Sequence, residues 1–177
     1  NGFDYDKFDI GVVGGGIPAL VSAVGFSNMG FKVLLIAEGF SYEEKRVPFK
    51  ANNFYAISPA NMELFSRCGL RDEFCKISED VFEMHLFEAD ACIKLTSKLV
   101  ARDYLNKIVS HRKLYEILVG ATRSLQNFYS INGSIKAVDY LSDGSCCRLE
   151  VLKNDKKFKT ETLHANLLVV ADGVNSF

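Results

Sequence analysis

A glycine-rich segment near the start of the chain has the residue types and spacing of a phosphate-binding loop. Gly14, Gly16 and Ala19 fit the pattern G-x-G-x-x-G/A. Gly14 permits a tight turn, Gly16 lacks the Cβ that would block a pyrophosphate, and Ala19 lets a helix pack closely against a strand. These roles require that the segment follow a strand and open a helix. The apolar run Phe8–Val13 before it and the helical pattern Ile17–Met29 after it meet that requirement.

The N-terminus of the predicted helix carries a partial positive charge that favours the binding of a phosphate. Ile17 and Pro18 lie in its first turn, where backbone amides have no intrahelical acceptor and the helix dipole is positive. Glu38 follows the second predicted strand, Lys32–Ala37, where a carboxylate accepts hydrogen bonds from a ribose and disfavours a 2′-phosphate. The βαβ unit is therefore predicted to bind the ADP half of a dinucleotide. The alternative is a glycine-rich turn in an α/β protein that binds no nucleotide.

Composition and charge argue against several other classes of protein. The 177 residues include 21 Lys and Arg against 22 Asp and Glu, a net charge of −1 that provides no positive field for nucleic acid. No apolar run approaches the roughly 18 residues needed to cross a bilayer. The five cysteines are odd in number and form no CxxC pair, so neither a disulfide framework nor a metal site is predicted. Reduced thiols imply a cytoplasmic protein.

The rest of the chain is predicted to add two helices, a hairpin, an antiparallel meander and a final buried strand. In chain order these are a helix from Ser58 to Gly69, a hairpin over 80–96, a helix from Ser110 through Leu125, meander strands over 134–141, 146–152 and 156–163, and a strand over 166–171. The polar segment 41–53 is predicted to be an exposed loop. Together with the βαβ unit, these elements predict an α/β fold: a parallel sheet with an inserted antiparallel β meander.

Four segments of the sequence together carry a resemblance to a known enzyme family. They are D-I-G-V-V-G-G-G-I-P-A at 9–19 with Glu38, Y-A-I-S-P-A-N-M-E-L-F-S-R-C-G-L at 55–70, I-V-S-H-R-K-L at 108–114, and L-V-V-A-D-G-V-N-S at 168–176. The last is similar to an A-D-G-x-x-S signature and is the most discriminating of the four. The chain thus resembles the flavin-dependent aromatic hydroxylases of the p-hydroxybenzoate hydroxylase type, above all the branch that hydroxylates ubiquinone precursors.

This resemblance implies a cofactor, a reaction and further site residues. Residues 1–177 would form a Rossmann-like FAD-binding domain, and the enzyme would hydroxylate an aromatic small molecule with NAD(P)H as electron donor and O₂ as oxidant. Asp172 and Gly173 would lie near the pyrophosphate and ribityl part of FAD. Arg112 would lie beside the flavin, at the start of the long helix. A ubiquinone-type substrate further implies peripheral association with a membrane.

The resemblance departs from the family pattern in two places. Asn53 stands where the family carries an Arg close to the FAD phosphates, and Arg46 or Lys50 is the expected substitute. The family's downstream G-D motif and substrate-binding sheet are absent from this sequence. The chain is therefore expected to be the N-terminal part of a longer flavoprotein and to be inactive by itself.

Two other functions stay open from the sequence, and no catalytic residue is predicted. One is a non-catalytic nucleotide-binding assembly subunit, which Asn53 favours. The other is an NAD-dependent dehydrogenase, which the predicted meander and the A-D-G segment disfavour. Of the three histidines, only His111 adjoins the start of the helix expected beside the flavin.

Overall fold

The structure, a computed structural model, describes residues 7–42, 53–89, 91–141, 146–154 and 159–173. Within these ranges the strands are β1 Lys7–Val13, β2 Val33–Ile36, β3 Phe54–Ile57, β4 Ser78–Val81, β5 Glu83–Glu88, β6 Ala91–Thr96, β7 Asn106–Ser110, β8 Phe128–Ile131, β9 Gly133–Tyr140, β10 Cys147–Lys153 and β11 Thr160–Val170. The helices are α1 Ile17–Asn28, α2 Pro59–Arg67, α3 Arg71–Ile77 and α4 His111–Thr122, with a 3₁₀ turn at Ser97–Val100. The chain divides into two compact units, residues 1–48 with 118–177 and residues 49–117.

A six-stranded sheet organises the first unit, in the order β8-β2-β1-β11-β10-β9. Strands β8, β2, β1 and β11 pair in parallel, whereas β10 and β9 extend the sheet in antiparallel pairing. All four residues of β2 are buried, as expected for a parallel strand covered on both faces. These pairings confirm the predicted α/β fold, a parallel sheet with an antiparallel meander.

The predicted βαβ unit is present, with boundaries close to those expected. Helix α1 begins at Ile17 and ends at Asn28, one residue before the predicted end. It buries Leu20, Ala23 and Val24, because small and aliphatic residues recur on one face. The unit therefore places the glycine-rich segment between the carboxyl end of β1 and the first turn of α1.

The last strand differs from the prediction of two separate strands over 156–163 and 166–171. One continuous strand, β11, runs from Thr160 to Val170. Its first half pairs antiparallel with β10 and its second half parallel with β1, and Ala165 pairs with residues of both. No Gly or Pro interrupts the eleven residues, so nothing in them forces a turn. The meander turns are predicted at Asp143-Gly144 and Asn154-Asp155, and of these residues only Asn154 is among those the structure describes.

The second unit contains a three-stranded sheet, β3-β7-β4, and the separate hairpin β5–β6. Ser58 caps α2 as predicted, because its Oγ accepts a hydrogen bond from the Asn61 amide at 3.4 Å. The hairpin begins at Glu83 rather than at the predicted Asp80. Asp80 belongs to β4, where its carboxylate pairs with the buried ammonium group of Lys107 on the neighbouring strand β7. The predicted loop lies outside the described residues over 43–52.

Helix α4 begins where the sequence predicts but ends earlier. Ser110 Oγ caps it by accepting a hydrogen bond from the amide three residues on, at 3.3 Å. The predicted continuation to Leu125 is wrong, since the helix ends at Thr122. The hydroxyl of Thr122 donates to the Val119 carbonyl at 2.8 Å, a carbonyl that a further helical turn would use. Among the helices of the described ranges, none combines the length and hydropathy required to cross a bilayer.

Candidate nucleotide-binding site

The fold itself requires glycine at position 14. Gly14 is buried in the turn after β1, and its amide donates to the Ile36 carbonyl at 2.9 Å. Its φ of +122° is rarely adopted by residues with a side chain. A Cβ built there would lie 2.3 Å from the Ala171 carbonyl oxygen, at the end of β11. Gly14 therefore allows β1, β2 and β11 to end side by side.

Position 16, by contrast, has no such requirement within the chain. Gly16 is the N-cap of α1 in an extended conformation, with φ −86° and ψ 178°, which any residue adopts. A Cβ there would meet only Pro18 Cδ, at 3.7 Å. The residue is half-buried. The fold does not need a glycine at this position, and the space in front of Gly16 is open. This space fits the close approach of the pyrophosphate of a dinucleotide to the protein backbone.

The first turn of α1 is available to an anion. No side chain caps this helix end and no acidic residue lies in its first turn. Ile17 is half-buried and Pro18 is exposed, while Ala19 is fully buried where α1 packs on the sheet. The backbone N–H groups of Gly16, Ile17 and Ala19 have no acceptor within the helix, Pro18 has no N–H, and the positive end of the helix dipole lies at Gly16.

Three further predicted residues follow the strands on either side of β1. Glu38 is exposed, just beyond the end of β2. Asp172 is half-buried and Gly173 is exposed, just beyond the end of β11. In the sheet order β2-β1-β11, these positions and the glycine-rich turn occupy the carboxyl ends of three adjacent parallel strands. In open α/β sheets, ligands bind at this edge.

Arg112 belongs to the second unit, whereas the other predicted cofactor-binding residues belong to the first. It is exposed on the first turn of α4, and its Nε donates to Glu116 Oε1 at 2.8 Å. This i,i+4 ion pair is a common surface arrangement on helices. A contact of Arg112 with a flavin stays a prediction from the resemblance.

His111 lies in a polar cluster that the sequence did not indicate. It is buried, and its Nδ1 is 2.8 Å from the hydroxyl oxygen of Tyr55. Its ring stacks on Tyr115, with centroids 6.2 Å apart, and burial raises the pKa of Tyr115 above its usual range. Its backbone amide donates to the Asn53 carbonyl at 2.8 Å. These contacts account for His111 as a packed histidine that joins β3 to α4.

The fold of this chain, but not its sequence, matches known proteins. No protein-family model matches it, and no curated protein sequence matches it. Solved structures do match. The p-nitrophenol 4-monooxygenase PnpA from Pseudomonas putida DLL-E4 has a TM-score of 0.78 and 19% identity, over 97% of this chain and 42% of that chain. The OxyS anhydrotetracycline hydroxylase from Streptomyces rimosus has a TM-score of 0.73 and 16% identity, over 96% of this chain and 32% of that chain.

A third match was solved with its cofactor. The flavin-dependent monooxygenase PieE, in complex with FAD and substrate, has a TM-score of 0.76 and 14% identity, over 96% of this chain and 31% of that chain. The chain thus spans less than half the length of each of these enzymes. At such low identities the likeness concerns the fold. This chain therefore has a fold that flavin-dependent monooxygenases also have, over part of their length.

Proposed function

We propose that this chain is the FAD-binding portion of a flavin-dependent monooxygenase that hydroxylates an aromatic ring. The observation that carries the proposal is the edge of the sheet where Gly16, Glu38 and Asp172 follow three adjacent parallel strands. The shared fold with PnpA, OxyS and PieE supports it, and the PieE structure is a complex with FAD. PnpA is named for a nitrophenol, which supports an aromatic substrate.

Each residue of this edge has a role toward the cofactor in the proposal. The amides of the first turn of α1 hold the pyrophosphate, which approaches over Gly16. The exposed carboxylate of Glu38 accepts hydrogen bonds from the ribose of the ADP half. Asp172 and Gly173 face the ribityl side of the pyrophosphate. The chain's part in the reaction is thus to bind and orient the cofactor.

The finer parts of the proposal rest on the resemblance of the motifs. Bound FAD supplies the redox chemistry, with NAD(P)H as electron donor and O₂ as oxidant. A ubiquinone precursor is the proposed substrate, in the context of a longer protein of which this chain is a part. The five cysteines are free in the structure, which supports a location in the reducing cytoplasm.

A second candidate function is a nucleotide-binding subunit without hydroxylase activity. Asn53 favours it, because this residue stands where the family carries an Arg near the phosphates. Asn53 is exposed, and an amide side chain cannot provide the bidentate, charge-assisted contacts of a guanidinium group. The two residues expected to substitute for that Arg, Arg46 and Lys50, lie outside the described residues. Both candidates bind the nucleotide and differ in whether the whole protein turns over an aromatic substrate.

Nucleotide binding is tested directly by titrating the chain with FAD and ADP. We expect Gly16→Val to abolish the binding of ADP and any residual binding of FAD, because its side chain would occupy the path of the pyrophosphate. Gly120→Val is the matched control: Gly120 lies on the exposed face of α4, and a Cβ there meets no atom within 4 Å. Failure of the parent chain to bind ADP, or equal ADP binding by the Gly16→Val variant, would refute the proposed site.

A further inference from the structure

The backbone on both sides of Glu38 is tied to the corner between β8 and β9. On one side, the Ala37 amide donates to the Ile131 carbonyl at 3.1 Å. On the other side, the Gly39 amide donates to the side-chain oxygen Oδ1 of Asn132 at 2.9 Å. The two bonded residues are 93 positions apart in the sequence. Asn132 is thus the side chain that holds the chain just after the candidate ribose-binding carboxylate.

These bonds fix a tight turn with Glu38 at its second position. The Phe40 amide donates to the Ala37 carbonyl at 3.4 Å, which closes a four-residue turn with Glu38 and Gly39 at its centre. Gly39 has a φ of +70°, the value that a type II turn requires at its third position. In such a turn the peptide between the two central residues can flip. The bond from Gly39 to Asn132 fixes the orientation of that peptide.

Asn132 is itself held in place by the end of β10. Its backbone carbonyl accepts a hydrogen bond from the Asn154 amide at 2.8 Å. At the next residue, Gly133, a Cβ would lie 2.4 Å from the Leu152 carbonyl oxygen, so the two chain segments are in close contact. The side-chain oxygen of Asn132 is therefore presented from a fixed corner of the sheet rather than from a free loop.

We infer that Asn132 is a positioning residue for Glu38: its Oδ1 orients the turn so that the carboxylate faces the ribose hydroxyls of the ADP half. This inference rests on the proposed function. Glu38 is exposed and has a flexible side chain, so ordering it on binding costs conformational entropy. A fixed backbone lowers that cost. Asn132 thereby contributes to nucleotide affinity by acting on Glu38 and not on the ligand.

The test compares two asparagines at opposite ends of β8. Asn127 precedes this strand, and its Nδ2 donates to the carbonyls of Ser27 and Phe31 at 2.9 and 2.6 Å. It serves as the matched control, because its removal also breaks side-chain bonds to backbone in the same unit. Affinities for ADP and for 2′,3′-dideoxy-ADP, which lacks the ribose hydroxyls, are measured by isothermal titration for the parent, Asn132→Ala, Asn127→Ala, Glu38→Ala and the double variant Glu38→Ala/Asn132→Ala.

The expected pattern is specific to the ribose. Asn132→Ala should weaken ADP binding about two- to tenfold, the effect of one lost hydrogen bond, and leave dideoxy-ADP binding unchanged. In the Glu38→Ala background the same substitution should have no effect, and Asn127→Ala should retain parental affinity for both ligands.

Three results would overturn the inference alone while ADP binding by the parent stands. They are an unchanged ADP affinity in Asn132→Ala, an equal loss for both ligands, or additive effects of the Glu38 and Asn132 substitutions. A parent chain that does not bind ADP would instead overturn the proposed function, and this inference with it.

Discussion

Replacing Gly14 and Gly16 one at a time by Ala should separate the stability of the fold from binding at the site. The two glycines are two residues apart in one turn, yet the structure gives them different reasons to lack a side chain. Gly14 has a φ of +122° and no room for a Cβ, whereas Gly16 has an ordinary φ of −86° and open space. We therefore expect Gly14→Ala to destabilise the protein and Gly16→Ala to impair binding without destabilising it.

The magnitude for Gly14→Ala has two parts. A residue with a side chain in a sparsely populated backbone region costs about 1–3 kcal/mol. The contact of 2.3 Å between the new Cβ and the Ala171 carbonyl oxygen forces the ends of β1 and β11 apart, and overpacking of this kind costs about 1–3 kcal/mol more. The free energy of unfolding should therefore fall by about 2–6 kcal/mol, a large fraction of the ~5–15 kcal/mol typical of a domain.

Gly16→Ala should leave the stability nearly unchanged. Replacing a glycine by alanine where the backbone conformation is permitted stabilises a protein by about 0.4–1 kcal/mol through the unfolded state, but alanine is a poorer N-cap than glycine, so the two effects oppose each other. The added methyl group would stand in the path of the pyrophosphate, so ADP affinity should decrease. Urea denaturation followed by circular dichroism gives both stabilities, and calorimetric titration with ADP gives the affinities. Two results would refute the reasoning: a Gly14→Ala variant as stable as the parent, or a Gly16→Ala variant that loses as much stability as Gly14→Ala.

Three more predictions follow from particular residues. Glu38→Ala should weaken ADP binding by about 1–3 kcal/mol, the range for a lost hydrogen bond to a charged group, and an unchanged affinity in isothermal titration would remove Glu38 from the site. Burial lowers the pKa of Lys107, but its hydrogen bond and ion pair with Asp80 outweigh burial and raise the pKa above its ordinary value. The contribution of this pair to the free energy of unfolding should therefore persist at neutral pH and be lost as the pH rises above the ordinary lysine pKa of about 10.4. Unfolding curves of Lys107→Met, measured over the same pH range, should not show this loss. The 177-residue chain should hold FAD weakly or not at all and should not hydroxylate a phenol with NAD(P)H, so a yellow chain with stoichiometric FAD and coupled hydroxylation would contradict this expectation.

The sequence by itself determined the local elements of this protein. The apolar run of β1, the glycine-rich turn and the buried face of α1 lie within one short stretch of chain, so their pattern and spacing were sufficient to predict the βαβ unit. The helix caps Ser58 and Ser110 were also predictable from the sequence, because a cap accepts a hydrogen bond from an amide only three residues away.

Only the tertiary structure decided which distant segments meet. That β11 is one strand, shared between an antiparallel and a parallel partner, depends on residues far away in β10 and β1. The fit of Gly14 against Ala171, and the bond between Gly39 and Asn132 across 93 residues, likewise join segments with no local pattern in common. Asn132 followed by glycine predicts no more than a turn, because local propensity does not specify which distant amide will donate a hydrogen bond to the asparagine side chain. Packing of the complete sheet makes that choice, and with it the arrangement around Glu38.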